Sequence, residues 1–327
     1  MSEQPTVEDV EILNFDDNRL VADLSGEHDA HLVILEEALG VRIDPRGNRF
    51  AVSGPAPARQ SALRALGDLY ARLERGETVG PAEARAAARL ADAPVPADAP
   101  SSLAIRTPKR LISPRSPNQA AYLRALDSND LVFGVGPAGT GKTYLAVAHA
   151  VGLLLSGSVE RMILSRPALE AGERIGFLPG DMKEKVDPYL RPLYDALHDM
   201  LHADYVERRL VSGDIEIAPL GFMRGRTLAR AAVILDEAQN ATIAQMKMFL
   251  TRLGEGAHMA VTGDPSQSDL PPGEPSGLAD ALSLLRGVDG VAETRFTDAD
   301  VVRHPLVSKI IRAYEARAAK RRKKERS

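Results

Sequence analysis

The stretch Gly136-Pro137-Ala138-Gly139-Thr140-Gly141-Lys142-Thr143 limits what this 327-residue chain can fold into more than any other. Its spacing, G-x-x-x-x-G-K-[ST], is that of a phosphate-binding loop. Glycines adopt positive φ at little cost, so successive backbone N–H groups can converge on one point. Converging N–H groups form a concavity that suits an anion. Lys142 adds a full charge beside the β- and γ-phosphates, and Thr143 offers its hydroxyl to Mg²⁺. The flanks fit. Residues 131–135, LVFGV, read as a buried strand. Residues 144–155 read as a helix, with Leu145, Ala148, Val151 and Leu155 at spacings of three and four. Strand, glycine loop and helix are the arrangement this motif needs; the competing reading is a chance glycine-rich turn. The expected nucleotide contacts are therefore Gly136, Pro137, Ala138, Gly139, Thr140, Gly141, Lys142, Thr143 and Tyr144.

The length allows two domains and a large core. Charge is nearly balanced, at −4. Without cysteine there is no disulfide, thiolate metal site or cysteine nucleophile. The absence of tryptophan and the low aromatic content argue against broad stacking platforms for bases. Residues 1–17 are acidic and lack the pattern of a signal peptide. No apolar run reaches transmembrane length. A cytoplasmic protein with no membrane contact is the expectation. The seven histidines show no metal-ligand spacing. Residues 317–326, RAAKRRKKER, form a basic run, read either as a nucleic-acid or ribosome contact or as a solvated tail.

From the start, residues 8–24 read as one or two short strands, and Gly26-Glu27-His28-Asp29 as a turn. Residues 29–39 read as a helix stopped by Gly40. Two strands follow around Pro45-Arg46-Gly47-Asn48, then a helix over 59–74. Residues 82–116 read as a linker, Ala/Arg-rich and in part helical, then proline-rich. The expected divisions are 1–81, 82–116, 117–319 and a tail at 320–327.

From Asn118 onward strands and helices alternate, which predicts a parallel sheet with helices on both faces. Gln119 opens a helix just before the first strand. Residues 161–165 form a second strand that runs into a polar insertion at 170–181. Arg166, Glu170, Glu173 and Arg174 there fall near the expected nucleotide, as substrate contacts or a lid, or else as an ordinary exposed loop. Residues 186–206 read as one helix. The segment FMRGRTL at 222–228 is either a phosphate or RNA contact or a solvated turn.

The second strong signal is Ala232-Val233-Ile234-Leu235-Asp236-Glu237-Ala238-Gln239-Asn240. Four apolar residues make a buried strand and two acids sit at its carboxyl end. Asp236 is expected to hold Mg²⁺ together with Thr143. Glu237 is expected to orient and deprotonate the attacking water. The alternative for paired acids after a strand is a helix cap. The third strong signal is a strand at 259–263 that ends in Gly263-Asp264-Pro265-Ser266-Gln267, or else a plain polar turn there; Thr262 and Asp264 fall in the same region. Arg303, after the last strand, is expected either as an arginine finger for its own or a neighbour's site, or as a surface ion pair.

These segments together resemble the PhoH-like family of ATPases, related to superfamily 1 helicases. The resemblance rests on GPAGTGKTYLA at 136–146, SRPALEAGERIGFLPGD at 165–181, FMRGRTL at 222–228, VILDEAQN at 233–240, TGDPSQ at 262–267 and DVVRHPLV at 300–307. It implies an α/β fold: a P-loop NTPase (RecA-like) sheet preceded by a small α+β KH-like domain. It implies that Gln119 reads adenine and that Gln267, in a GDxxQ-like motif, senses the γ-phosphate. It also implies ATP and Mg²⁺ as cofactors, RNA as partner in ribosomal RNA maturation beside an endoribonuclease, and ring-like homo-oligomers. A KH module clamps nucleic acid with a GXXG loop. Here the second glycine is Asp29, whose carboxylate repels phosphate, so packing or partner docking is the better reading of that loop.

Three functions remain open at the level of sequence. They are an ATPase coupled to RNA, a nucleotide-gated module for docking RNA or the ribosome, and a small-molecule kinase.

Overall fold

The computed structural model describes residues 10–92, 103–167 and 182–301. The insertion at 170–181, Arg303 and the basic run at 317–326 lie outside the described residues. The chain falls into two compact units, residues 1–124 and 125–327.

The first unit is a small α+β module. It runs β1 (Val10–Asn14), α1 (Asn18–Ser25), α2 (Ala30–Leu39), β2 (Arg42–Arg46), β3 (Arg49–Ser53), α3 (Ala56–Glu74) and α4 (Pro81–Asp92). The strands pair antiparallel in the order β1-β3-β2. Pro45 lies in β2, an edge strand, where a missing N–H costs no ladder bond.

The sequence expectation of strand over the second part of 8–24 is corrected by the structure, which shows α1 there. Leu20, Ala22 and Leu24 alternate, but the buried face uses Val21, Leu24 and Ser25 at helical spacing. Asp17 caps the helix, its carboxylate accepting the Arg19 N–H at 2.8 Å. Gly26 then turns the chain at φ 74, and His28 and Asp29 follow in the left-handed region. A Cβ on Gly26 would stand 2.8 Å from the buried His31 ring, so only glycine fits. The Gly26–Asp29 segment thus links two helices.

The stretch from Ala82 begins as helix. Ala84, Ala87, Ala88 and Ala91 of α4 join Phe50, Leu32, Leu35, Leu66 and Leu69 in one core. A short antiparallel ribbon of β4 (Ile105–Arg106) and β5 (Leu111–Ile112) follows. Thr107 closes it, its hydroxyl donating to the Arg110 carbonyl at 2.8 Å.

The join between the units falls within α5 (Pro117–Ser128). The second unit continues with β6 (Leu131–Val135), α6 (Lys142–Ser156), β7 (Arg161–Arg166), α7 (Met182–Met200), α8 (Ala203–Ser212) and β8 (Ile215–Pro219). Then come β9 (Ala231–Leu235), α9 (Ile243–Leu250), β10 (His258–Gly263), α10 (Gly277–Leu284) and β11 (Val291–Arg295). All six strands are parallel, in the order β11-β6-β10-β9-β7-β8, with helices on both faces. Every residue of β6 and β9 is buried, as strands covered on both faces must be. The single helix expected over 186–206 is two. The chain bends at Leu201-His202, where the Tyr205 and Val206 N–H groups turn back to the His202 carbonyl.

At the amino-terminal edge of the sheet, His149 of α6 faces His258 at the start of β10, their ring centroids 6.4 Å apart. Its Nε2 is 3.3 Å from Asp127 Oδ1. Burial outweighs that carboxylate and lowers the His149 pKa below its ordinary value. The folded imidazole therefore binds a proton less readily than the unfolded one, whose pKa is about 6.5. This stability term is complete above that pH and is lost as pH falls below it. The melting temperature is expected to drop as pH falls below about 6.5, and His149→Gln to flatten the drop; calorimetry at a series of pH values checks it.

Candidate functional site

Because the strands are parallel, their carboxyl ends share one edge of the sheet. Four of them bring polar residues there. β6 delivers the glycine loop, β7 Arg166, β9 Asp236 and Glu237, and β10 Thr262 to Asp264. In the sheet order β10 stands between β6 and β9, so Thr262 separates the loop from the acids.

The loop leaves β6 at Gly136, whose φ is 143 and whose N–H donates to the Gly263 carbonyl at 3.0 Å. Gly139 and Gly141 follow at φ 84 and 80. Gly141 is the N-cap of α6 and has no side chain to cap it. The Pro137 carbonyl accepts from Lys142 Nζ and from Thr140 Oγ1, each at 3.0 Å. These bonds hold the loop curled over the start of the helix. The Tyr144 hydroxyl points elsewhere and donates to Asp199 Oδ2 of α7 at 2.6 Å.

The chain leaves β9 with one more ladder bond, from Asp236 N–H to the Ser165 carbonyl at 2.9 Å. Asp236 is buried, and its Oδ1 accepts from Thr143 Oγ1 at 2.6 Å and from Thr262 Oγ1 at 2.9 Å. A loop hydroxyl, a strand hydroxyl and a carboxylate thus meet at one point. Their donors are all oxygen, the set that a hard cation such as Mg²⁺ takes. Among the described residues no group of three or more His, Cys, Asp or Glu is placed to hold a metal alone. Mg²⁺ ordinarily binds through one or two carboxylates, with phosphates and water completing the shell. The residues present fit that role.

Glu237 sits in the left-handed region at φ 51, an uncommon state for a residue with a Cβ and a mark of local strain. Both of its oxygens have partners. Arg166 Nη2 donates to Oε1 at 2.7 Å, and Gln239 Nε2 to Oε2 at 2.5 Å. The Gln239 amide oxygen in turn accepts the Asp264 N–H at 3.0 Å. Gln267 closes the far end, its Nε2 donating to Asp264 Oδ2 at 2.7 Å. One chain of hydrogen bonds therefore runs from Arg166 through Glu237, Gln239 and Asp264 to Gln267. Gly263 keeps it tight, since a Cβ there would come within 2.6 Å of Gln239 Oε1.

Of the residues singled out in the sequence, the structure brings together the loop, Lys142, Thr143, Asp236, Glu237, Thr262, Asp264 and Gln267. Gln119 belongs to the first unit. It is buried, accepts the Arg115 N–H at 2.6 Å through Oε1, and donates its own N–H to Ser116 Oγ at 3.2 Å. That pattern closes the first turn of α5. Arg303, Glu170, Glu173 and Arg174 lie outside the described residues. Sequence reasoning gave no role to Gln239. Its signal was a buried-type amide two residues past an acid pair, and its two partners are settled only by the fold. Phe222 of the FMRGRTL segment is exposed, while Arg226 beside it forks onto Glu216 at 2.6 and 2.7 Å.

Comparison with known proteins agrees with this geometry. The family described as PhoH-like protein matches residues 111–315. A PhoH-like protein of Bacillus subtilis (strain 168) is 52% identical over 296 residues, covering 89% of this chain and 93% of the relative. A PhoH-like protein of Mycobacterium tuberculosis (strain ATCC 25618 / H37Rv) is 46% identical over 298 residues, covering 90% and 85%. Protein PhoH of Escherichia coli (strain K12) is 48% identical over 202 residues, 61% of this chain and 57% of that one. With the family's domain spanning most of the second unit and relatives alike along nearly the whole length, the chain belongs to the PhoH-like family.

Proposed function

We propose that this protein binds ATP with Mg²⁺ in the site at the carboxyl edge of its sheet and hydrolyses it. The observation that carries this reading is the 2.6 Å bond from Thr143 to Asp236, which links the glycine loop to the acid strand across β10. When bound, the magnesium nucleotide would supply the phosphoanhydride to be cleaved and the charge that polarises it. The residues of the chain supply the rest. The loop amides and Lys142 hold phosphate oxygens, and Thr143 and Asp236 hold the metal. Glu237 orients a water and takes its proton. Such catalysis is positional and electrostatic.

Lys142→Ala is expected to lower phosphate release by roughly a hundredfold or more, the usual cost of removing one preorganised donor. Release equal to wild type would sink the reading.

Coupling to RNA is part of this proposal, with ribosomal RNA maturation beside an endoribonuclease as its setting. The basic run at 317–326 supports it. A homo-oligomeric ring fits as well, because a monomeric helicase of superfamily 1 has two ATPase cores and this chain carries one phosphate-binding loop. A cytoplasmic setting fits the further fact that, among the described residues, no helix is long and apolar enough to cross a membrane. Phosphate release measured with and without RNA separates an RNA-stimulated hydrolase from a slow nucleotide-gated docking module.

A further inference from the structure

Among the described residues, Arg166 is the one that reaches both acids of the candidate site. It ends β7, the neighbour of β9, one step past the paired positions Ser165 and Leu235. Its Nη2 donates to Glu237 Oε1 at 2.7 Å, its Nε lies 3.7 Å from Asp236 Oδ2, and its Nη1 donates to the Tyr189 carbonyl of α7 at 2.8 Å. Three nitrogens of one planar fork thus address three separate acceptors, a task that a lysine cannot repeat. Its side chain is 19% exposed, and that of Asp236 7%, so the charges are only partly screened.

Two consecutive carboxylates at one strand end repel each other, and burial raises the cost of leaving Asp236, the buried one, uncompensated. Arg166 supplies the compensating charge. A divalent cation held by Thr143 and Asp236 would supply the same compensation from the other side of Asp236. Arg166 and the metal then compete for one carboxylate, since two cations within a few ångströms raise each other's free energy.

We propose that Arg166 is the internal counter-charge of the acid pair, a positioning residue that weakens metal binding at Asp236 while holding Glu237 in place. This rests on the reading above that Thr143 and Asp236 are the metal ligands. Its consequence is a trade. Arg166 makes the site less greedy for metal, so that metal is retained only together with the phosphates, and it keeps Glu237 aimed. The tie from Arg166 to Tyr189 anchors the fork to α7, so the aim of Glu237 depends on that helix as well as on its own strand.

The test uses the full-length chain with Mn²⁺ as a magnetic stand-in for Mg²⁺. Mn²⁺ affinity is measured by electron paramagnetic resonance at saturating ADP, beside steady-state ATP hydrolysis. Arg166→Gln is expected to bind Mn²⁺ roughly tenfold more tightly, a change of about 1.4 kcal/mol, while kcat falls and KM for ATP moves little. Arg166→Lys keeps the charge, so its Mn²⁺ affinity is expected to stay near wild type, yet its kcat falls because one nitrogen cannot span Glu237 and Tyr189. Unchanged Mn²⁺ affinity in Arg166→Gln would overturn the proposal. So would equal weakening of Mn²⁺ binding in both variants with a lower melting temperature, the mark of a merely structural residue. If the wild-type chain binds Mn²⁺ with ADP but releases no phosphate, the hydrolase reading fails and the metal-affinity comparison still decides this one. If Asp236→Asn binds Mn²⁺ as tightly as wild type, the ligand assignment fails and takes this proposal with it.

Discussion

Replacing Glu237 with glutamine is expected to leave ATP binding near the wild-type level and to lower hydrolysis by about 10²- to 10⁴-fold, the usual share of a positioned general base. The geometry says why binding survives. Glu237 lies outside the cluster of Thr143, Thr262 and Asp236, and its bonds go to Arg166 and Gln239 instead. A glutamine keeps the size and one acceptor, so the Arg166 bond can persist. What it loses is the ability to take a proton. Binding of a fluorescent ATP analogue and single-turnover phosphate release, measured on the same preparation, separate the two effects. Normal turnover with normal binding would remove Glu237 from the mechanism, and the base would have to be sought elsewhere on the same sheet edge.

The second large effect is expected from Gly136→Ala. At φ 143 the backbone is in a region that side chains rarely adopt. A Cβ there would also meet the Phe296 carbonyl at 2.4 Å and the Phe296 Cβ at 2.8 Å. Neither neighbour is the tip of a flexible side chain. Phe296 is buried and tied to the sheet, its N–H donating to the Val135 carbonyl at 2.8 Å. The end of β11 or the start of the loop must therefore move. A cost of roughly 2–4 kcal/mol follows from backbone strain together with overpacking. In a unit of this size that lowers the melting temperature by very roughly 5–15 °C. Loss of nucleotide binding is expected alongside, because Gly136 begins the loop and its bond to the Gly263 carbonyl fixes where the following amides lie. Gly67→Ala in α3 is the control: its φ is ordinary and nothing lies within 4 Å of a new Cβ. A thermal melt of the two variants beside wild type checks the contrast. A Gly136→Ala protein as stable as wild type would show that the loop tolerates another path.

Much of the second unit was legible in the sequence because its strands are buried on both faces. LVFGV and AAVIL are continuous apolar runs that end at a glycine and an acid, and β6 and β9 appear where those runs lie. The first unit was harder. α1 has eight residues, too few for a period of 3.6 to stand out from a period of 2, and only the cap at Asp17 tips the balance. The break between α7 and α8 carries no proline or glycine, so nothing local announced it; Leu201 is wholly buried at the bend. The site divides the same way. The loop and the acid pair are contiguous motifs and could be read directly. The bonds from Arg166 to Glu237 and from Gln239 to Asp264 span 71 and 25 positions, and no local pattern encodes a partner that far away. From sequence Arg166 reads as a substrate contact or part of a lid, not as the contact shared by both acids.

The sheet order carries a cost in time. β6 is the first strand of its unit to leave the ribosome, yet its two neighbours are β10 and β11, the last two. Thr143 waits 93 positions for Asp236. Until those late segments emerge, an apolar strand stands with both edges open, the situation that invites pairing with another chain. Pairings this distant also form slowly. Newly made copies of this protein should therefore depend on chaperones for as long as the last hundred or so residues are still being synthesised, and shortened chains that stop before β10 should precipitate rather than fold.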